Sequence, residues 1–362
     1  MKKKKYMRMA INLARLGQGR VNPNPLVGAI IVKDGRIIGQ GYHRGYGMNH
    51  AEVEAFESLK ESAEGAEMYV NLEPCSHYGK TPPCAERIVR EKIGKVYVAM
   101  EDPNPRVAGR GIEILRQNGI EVELGILEEE ARRLNEVFIH YIKKGTPMVI
   151  MKFAMSLDGK IATKDFQSKW ISNESSRLDV AKLRNQYMGI MVGSNTLAKD
   201  DPRLTSRIEG GRDPYKIIVD SKLRLPLDAR VLTINPEKAL IFTTEARNRE
   251  KEEAIRRLGG QVHILGSKEG QVDLVQLMGK VGKLGIDSIL LEGGGNLNFS
   301  CLKDGLVDKV LSYIAPKIIG GRESITPVTG EGVGDLAEHF KLDFREVKNI
   351  DGDLFIESYV RK

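Results

Sequence analysis

Three observations predict an α/β protein built from two domains. The chain has 362 residues, too long for one ordinary domain and about right for two. Segments of helical and strand periodicity alternate along it, the pattern of layered α/β architecture. The stretch "KKGTP", residues 143–147, interrupts that alternation with charge, then glycine, then proline, and reads as a linker. The expected domains are therefore residues 1–145 and 146–362.

In the first domain, the opening "MKKKKYMRMAINLARLG" places Met7, Ile11 and Ala14 on one face at helical spacing, so it predicts an amphipathic helix with a lysine-rich solvated end. "VGAIIVKDGRIIGQGYH" reads as two strands around an Asp-Gly turn. "NHAEVEAFESLK" predicts a helix starting near His50, and "EMYVNLEP" a strand. "PPCAERIVREKIG" is a helix opened by prolines, with Gly94 beyond its end. "KVYVAM", "GIEILRQNG" and "EVELGI" follow as strand, helix and strand, and "LEEEARRLNEVFIHYIKKG" as one long amphipathic helix. In the second domain, "MVIMKFAMSLDGKIA" is a strand, "NESSRLDVAKLRNQY" a helix and "GIMVGSNTL" a strand and turn. "KIIVD", "ALIFTT" and "QVHILG" are strands, "VDLVQLMGKVGKLG" a helix, and "SILLEGG" a strand running into the helix "GNLNFSCLKDG". The closing "KLDFREVKNIDGDLFIESYV" predicts a hairpin.

Composition removes several classes of function. Arg8 and Arg15 interrupt what would be the apolar core of a signal peptide, and no apolar run approaches the ~20 residues of a membrane span. A cytoplasmic protein is expected. A net charge of +7, spread along the chain, suits an anionic small molecule better than nucleic acid, and 6% aromatic residues leave little for stacking bases. Three cysteines without an export signal point to metal or redox chemistry, not a disulfide framework.

Two of those cysteines form a pattern. His50-Ala51-Glu52 is followed by Pro74-Cys75 and then Cys84. His50 and Cys84 sit at predicted helix starts, where the helix dipole stabilises a thiolate, and Cys75 ends a predicted strand. One nitrogen and two sulfur ligands leave a fourth position open, the catalytic zinc arrangement, in which the pKa of bound water falls to ~7. Glu52, two residues past His50, can lie beside the metal without ligating it and move protons.

This constellation resembles the zinc-dependent nucleoside deaminases, whose signature is H-x-E followed by P-C-x-x-C. The departure is the wider interval between Cys75 and Cys84. With "VNPNPLVGAIIV" (21–32), "HAE" (50–52) and "PCSHYGKTPPC" (74–84), the first domain resembles the deaminase half of the bifunctional deaminase–reductases of riboflavin biosynthesis. The resemblance implies a cytidine-deaminase-like α/β/α domain in which Asn24 contacts the pyrimidine and His43, Ser76, His77 and Lys80 line the substrate site. Lys80 also has its own logic, because a cation in a loop at a helix start suits phosphate.

In the second domain "LEGGG", 291–295, ends a strand and opens a helix, so free backbone N–H groups there could cradle a phosphate. It is not the G-x-G-x-x-G fingerprint, and no acidic residue follows ~20 positions on, which excludes a dinucleotide-binding Rossmann unit. "MKFAMSLDGKIA" (151–162), "SKWIS" (168–172), "GSNTLAKDDPRLT" (193–205) and "LLEGGG" resemble the reductase half of the same family. The resemblance implies a dihydrofolate-reductase-like α/β fold that uses NADPH. It places Ala154, Trp170, Thr196, Asp200 and Gly293, Gly294 and Gly295 against the cofactor, and Ser168, Arg184, Leu204, Arg207 and Glu292 against substrate. Guanidinium groups at 184 and 207 suit a phosphate. Lys152, polar among apolar strand residues, is expected to face the site; Asp200, Glu292 and Lys152 are the candidate proton donors. Cys301 has no partner in the sequence and is expected to fill a core.

The resemblance covers nearly the whole chain in the family's order. It implies two consecutive steps on phosphorylated pyrimidines: zinc-dependent hydrolytic deamination, then NADPH reduction of the ribosyl group to a ribityl chain. One zinc per chain and a homodimer are expected; nucleic-acid and membrane partners are not.

Overall fold

The computed structural model describes residues 2–76, 78, 82–105 and 107–362. The chain divides into two compact units, Met1–Gly145 and Thr146–Lys362.

The first unit contains α1 (Lys2–Ala14), β1 (Gly28–Lys33), β2 (Arg36–Tyr42), α2 (Ala51–Glu57), β3 (Glu67–Val70), α3 (Cys84–Arg90), β4 (Lys95–Val98), α4 (Arg110–Gln117), β5 (Glu121–Leu124), α5 (Glu128–Leu134) and α6 (Glu136–Lys144). The strands form one sheet in the order β2-β1-β3-β4-β5. β1 runs antiparallel to both neighbours, while β3, β4 and β5 are parallel. Alternation along each strand sorts side chains between two cores. Ala29, Ile31, Met68, Val70, Val96 and Val98 pack with Ala55 and Phe56 of α2, Ile88 of α3 and Leu115 of α4. Ile30, Val32, Tyr69 and Tyr97 pack on the other face with Met7 and Ile11 of α1 and Ala131 of α5. The unit is thus an α/β/α sandwich. Helix α2 lies so close to β2 that a Cβ on Gly41 would stand 2.4 Å from the Ala55 nitrogen, and only glycine permits that approach.

The second unit contains β6 (Met148–Ser156), α7 (Glu174–Gln186), β7 (Gly189–Gly193), α8 (Ser194–Asp200), β8 (Tyr215–Val219), α9 (Arg230–Thr233), β9 (Ala239–Thr243), α10 (Arg249–Arg257), β10 (Gln261–Ile264), the short pair β11 (Ser267–Lys268) and β12 (Gln271–Val272), α11 (Leu274–Lys283), β13 (Ser288–Leu291), α12 (Gly295–Lys303), β14 (Lys309–Ala315), β15 (Leu342–Ile350) and β16 (Asp353–Val360). Nine strands form one sheet in the order β10-β9-β8-β7-β13-β6-β14-β16-β15. It is parallel from β10 through β14 and antiparallel at β14, β16 and β15. One face packs Met191, Ile217 and Leu291 against α11 and α12; the other packs Ile190, Ile218 and Ile241 against Leu197 of α8 and Ile255 of α10. Strand β13 enters the sheet between β7 and β6, so the carboxyl ends of these three strands meet at a switch in topology, where α/β sheets open a crevice.

The expected elements differ from the fold in three places. The long helix of 127–145 is broken into α5 and α6 at Asn135, which is buried because its side chain is bonded elsewhere: Oδ1 accepts from Leu26 N at 2.7 Å and Nδ2 donates to Leu26 O at 3.0 Å. "SNTLAKD" forms helix α8 where a turn was expected, because Leu197 docks into the core. Strand β14 and helices α9 and α10 had no expectation. Cys301 is buried in α12, as expected.

Candidate functional site

His50 caps α2, and Cys84 is the first residue of α3, so two helix starts and the segment after β3 deliver three ligands to one point. The His50 Nδ1 lies 3.5 Å from Cys75 Sγ and 3.3 Å from Cys84 Sγ, and the three ligand atoms fall within 4.8 Å of one another. Cys84 N–H donates to Cys75 Sγ at 3.3 Å. Hydrogen bonding from Cys84 first, and from His50, outweighs burial and lowers the Cys75 thiol to about 4. The partner thiol of Cys84 is pushed up, by the Cys75 sulfur first and by burial. His50 is raised to about 9 by its bond to Cys75. This donor set fits zinc: one imidazole nitrogen and two sulfurs converge, and binding a metal there would release their protons. Glu52 is 4% exposed on the first turn of α2. Burial, and then the charge of Cys75, raises its carboxyl to about 7.

Asn24 and His43 join this cluster. Asn24 Nδ2 donates to His43 Nε2 at 3.2 Å, and His43 Nδ1–H donates to Asn49 O at 2.9 Å, which sets a neutral tautomer. Burial lowers the His43 pKa in the same sense. The His43 ring meets His50 edge-on with centroids 5.8 Å apart. Ser76 is half-buried beside Cys75. His77 and Lys80 lie outside the described residues.

The sequence did not point to the supports of this site. Glu73 is buried and accepts four backbone N–H groups, from Asp102, Gly109, Gly111 and Ile112, at 2.9 to 3.3 Å. It binds the start of α4 to the segment carrying Cys75, and a Cβ on Gly111 would stand 2.0 Å from Pro74 O. Asn71 is buried, accepts from Gly28 N at 2.8 Å and donates to Leu26 O at 2.9 Å. Together with Asn135 it fixes the segment that carries Asn24. No local periodicity marks such residues, because their partners are 29 to 109 positions away.

In the second unit Ala154, Thr196 and Gly293–Gly295 lie at or just past the carboxyl ends of β6, β7 and β13. Burial along β6 changes from complete over Met148–Met151 to partial over Lys152–Met155, so the strand is partly exposed at Ala154. Thr196 lies in the first turn of α8, and Asp200 ends that helix, exposed. Gly293–Gly295 connects β13 to α12. A Cβ on Gly295 would stand 2.6 Å from Thr329, one on Gly293 2.9 Å from Asn298 Oδ1, and one on Gly294 3.5 Å from Thr196 Oγ1. Asn298 Oδ1 is buried and has no hydrogen-bond partner among the described residues. A backbone-lined turn this narrow, at the start of a helix, fits the phosphates of a dinucleotide. Trp170 is 59% exposed, which excludes a core role, and the Arg177 guanidinium lies 4.6 Å over its ring.

Beside that turn, Glu292 is held by two cations. Arg184 Nη2 and Nε donate to its two oxygens at 2.6 and 3.2 Å, and Lys152 Nζ is 3.6 Å away. Burial favours the neutral acid, but Arg184 and then Lys152 outweigh it and hold Glu292 at about 2. Burial lowers the Lys152 pKa. Arg184 therefore spends its guanidinium fork on a carboxylate, where the sequence suggested phosphate. Arg207 makes no ion pair among the described residues; burial first, and repulsion by Arg184, lower its pKa. Leu204 and Arg207 hold positive φ of 51° and 60°, and Ser168 is half-buried.

The model of the RibD C-terminal domain matches residues 147–356. The cytidine and deoxycytidylate deaminase zinc-binding region matches residues 1–100. The riboflavin biosynthesis protein RibD of Actinobacillus pleuropneumoniae is 46% identical over 355 residues, 98% of this chain and 94% of that protein. This chain belongs to the RibD family. The crystal structure of Acinetobacter baumannii RibD superposes with a TM-score of 0.90 at 36% identity, covering 100% of this chain and 99% of that one. The Thermotoga maritima diaminohydroxyphosphoribosylaminopyrimidine deaminase/5-amino-6-(5-phosphoribosylamino)uracil reductase superposes at 0.87 with 37% identity, covering 99% of both chains. As a RibD, the protein is a bifunctional enzyme of riboflavin biosynthesis acting on phosphorylated pyrimidines, with a zinc-binding deaminase part and an NADPH-dependent reductase part. Its folds are the cytidine-deaminase-like and dihydrofolate-reductase-like ones expected.

Proposed function

We propose that residues 1–145 form the deaminase domain and residues 146–362 the reductase domain, acting in turn. The first takes 2,5-diamino-6-(5-phosphoribosylamino)pyrimidin-4-one, and the second takes 5-amino-6-(5-phosphoribosylamino)uracil. The observation that carries the reading is the convergence of His50, Cys75 and Cys84 with buried Glu52 beside them.

In the deaminase domain His50, Cys75 and Cys84 hold the metal. Bound there, zinc supplies a water activated for attack on the amino-bearing carbon. Glu52 takes one proton from the water to the ring nitrogen and then the second, from the added hydroxyl, to the amino group, which departs as ammonia as the C–N bond breaks. Asn24, oriented by neutral His43, meets the pyrimidine edge. Ser76, His77 and Lys80 line the remaining substrate, with Lys80 toward its phosphate.

In the reductase domain Ala154, Trp170, Thr196, Asp200 and Gly293–Gly295 hold NADPH, which when bound supplies a hydride to C1′ of the ribosyl group. Ser168, Arg184, Leu204, Arg207 and Glu292 face the substrate, and unpaired Arg207 carries the charge for its phosphate. Opening the sugar ring also requires a proton at the ring oxygen. Glu292, held ionised at about 2, cannot donate it. Lys152 can: its ammonium is buried, 3.6 Å from Glu292 and two residues along β6 from Ala154.

Among the described residues no helix is long and apolar enough to cross a membrane. A cytoplasmic homodimer without nucleic-acid or membrane partners completes the reading. Purified protein given the diaminopyrimidine phosphate should release ammonia and then oxidise NADPH; failure of either step removes that half of the assignment.

Two further results are expected. The protein should carry about one zinc per chain. Metal analysis should show zinc lowered in Cys75→Ser and Cys84→Ser and kept in Cys301→Ser. Full retention in the first two would overturn the ligand set. Residues 146–362 expressed alone should fold and bind NADPH, because that unit has its own cores. A soluble fragment without NADPH binding would count against the domain boundary.

A further inference from the structure

Two loops follow the adjacent strands β6 and β14, and each lends a charged side chain to the other. From the first loop, Asp158 Oδ1 accepts from Ile319 N at 3.0 Å and from Ser156 Oγ at 2.6 Å, and Oδ2 accepts from Gly320 N at 2.7 Å. From the second, Lys317 Nζ donates to Trp170 O at 2.9 Å and to Ile171 O at 2.7 Å. Main-chain bonds stitch the same pair, Leu157 N to Lys317 O and Ile161 N to Ile325 O, both at 2.8 Å. The Asp158 carboxyl is exposed yet held at about 2, first by Ser156 and then by the two backbone N–H groups, so the latch stays charged across ordinary pH.

The apolar hold on this region is small: Ile171 and Ala162 are buried, but their neighbours are not. Leu157 is 66% exposed, Ile318 78% and Trp170 59%. Beyond buried Ile171, the Trp170 segment is tied to the strand ends by polar bonds, and the residues that supply them lie outside the catalytic set. Asp158 is four residues past Ala154, and Lys317 two past the end of β14.

We infer that Asp158 and Lys317 are positioning residues, which together hold Trp170 as a preformed wall of the NADPH cleft. The inference rests on the proposed contact between Trp170 and NADPH. Losing the latch leaves the chemistry intact but makes cofactor binding order the segment first, which weakens binding without slowing the bound enzyme.

Trp170 is the only tryptophan, so its emission reports on this segment alone. In Asp158→Asn and Lys317→Met, Trp170 anisotropy in the cofactor-free full-length protein should fall. The KM for NADPH should rise roughly tenfold, the loss of a charge-assisted hydrogen bond, with kcat changed far less. Lys317→Arg, which keeps two donors, should restore most of both. An unchanged far-UV circular dichroism spectrum and a cooperative thermal melt of the second unit verify that each variant is folded. An unchanged KM for NADPH in folded variants, or a loss in kcat alone, would overturn the latch. Energy transfer from Trp170 to bound NADPH in the unaltered protein tests the underlying contact separately. Its absence would remove Trp170 from the cofactor site and the wall with it, whereas its presence beside unaffected variants would refute the latch alone.

Discussion

Glu52→Gln is expected to lower ammonia release by at least ~10²–10⁴-fold, the usual contribution of general acid–base catalysis, while zinc content stays at its normal level. The amide keeps the side chain's size and removes its ability to take a proton. Glu52 is not among the three ligand residues, so the metal should remain. In the proposed mechanism Glu52 serves both proton transfers, from water to ring nitrogen and from the added hydroxyl to the departing amine, which places the expected loss at or beyond the upper end of that range. NADPH oxidation with the deaminated intermediate should be nearly unchanged, because the residues proposed for it all belong to the other unit. The two assays belong on one zinc-loaded preparation. Near-normal ammonia release would remove Glu52 from the mechanism, and equal loss of both activities would show a single shared site.

Lys152→Met should do the reverse, lowering NADPH oxidation by ~10²–10⁴-fold and sparing ammonia release. Methionine matches the length of the side chain but carries no proton. The bidentate bond between Arg184 and Glu292 remains in the variant, so the carboxylate is still paired. The pH profile supplies a second readout. Burial, aided by repulsion from Arg184 and Arg207, lowers the Lys152 pKa against the opposing pull of Glu292. The donor is the protonated amine, so kcat is full below that pKa and falls as pH rises through it, at a midpoint below the ordinary lysine value of ~10.4. The variant should lack this alkaline limb. A normal rate in Lys152→Met would return the role to Asp200 or to water.

The sequence by itself determined the order of most elements, because their signals are local. The helical stripe of Met7, Ile11 and Ala14, the turn at Asp34-Gly35, and the proline before Cys84 each act within a few residues. It also singled out the three side chains that the fold brings together as candidate metal ligands. His50 and Cys84 sit at helix starts and Cys75 just past a strand, so the elements carry the ligands and their spacing survives in the motif. The same locality explains the misses. The break at Asn135 is made by Leu26, 109 residues away, and no periodicity in "LEEEARRLNEVF" could disclose it. Glu73 appears in the sequence as an acid between a strand and a proline; only the fold supplies the four N–H groups that make it a clamp.

The electrostatic state of the reductase site was decided by the tertiary structure alone. Lys152, Arg184 and Glu292 come from β6, α7 and the end of β13, and their meeting required β13 to insert between β7 and β6. That insertion gives Arg184 a carboxylate partner, keeps Glu292 ionised, and sets Lys152 beside it as the proposed proton carrier. A residue type states which charges are available. Which charges are paired, and so which group can give up a proton, depends on distances and burial that arise only when separated strands are brought side by side.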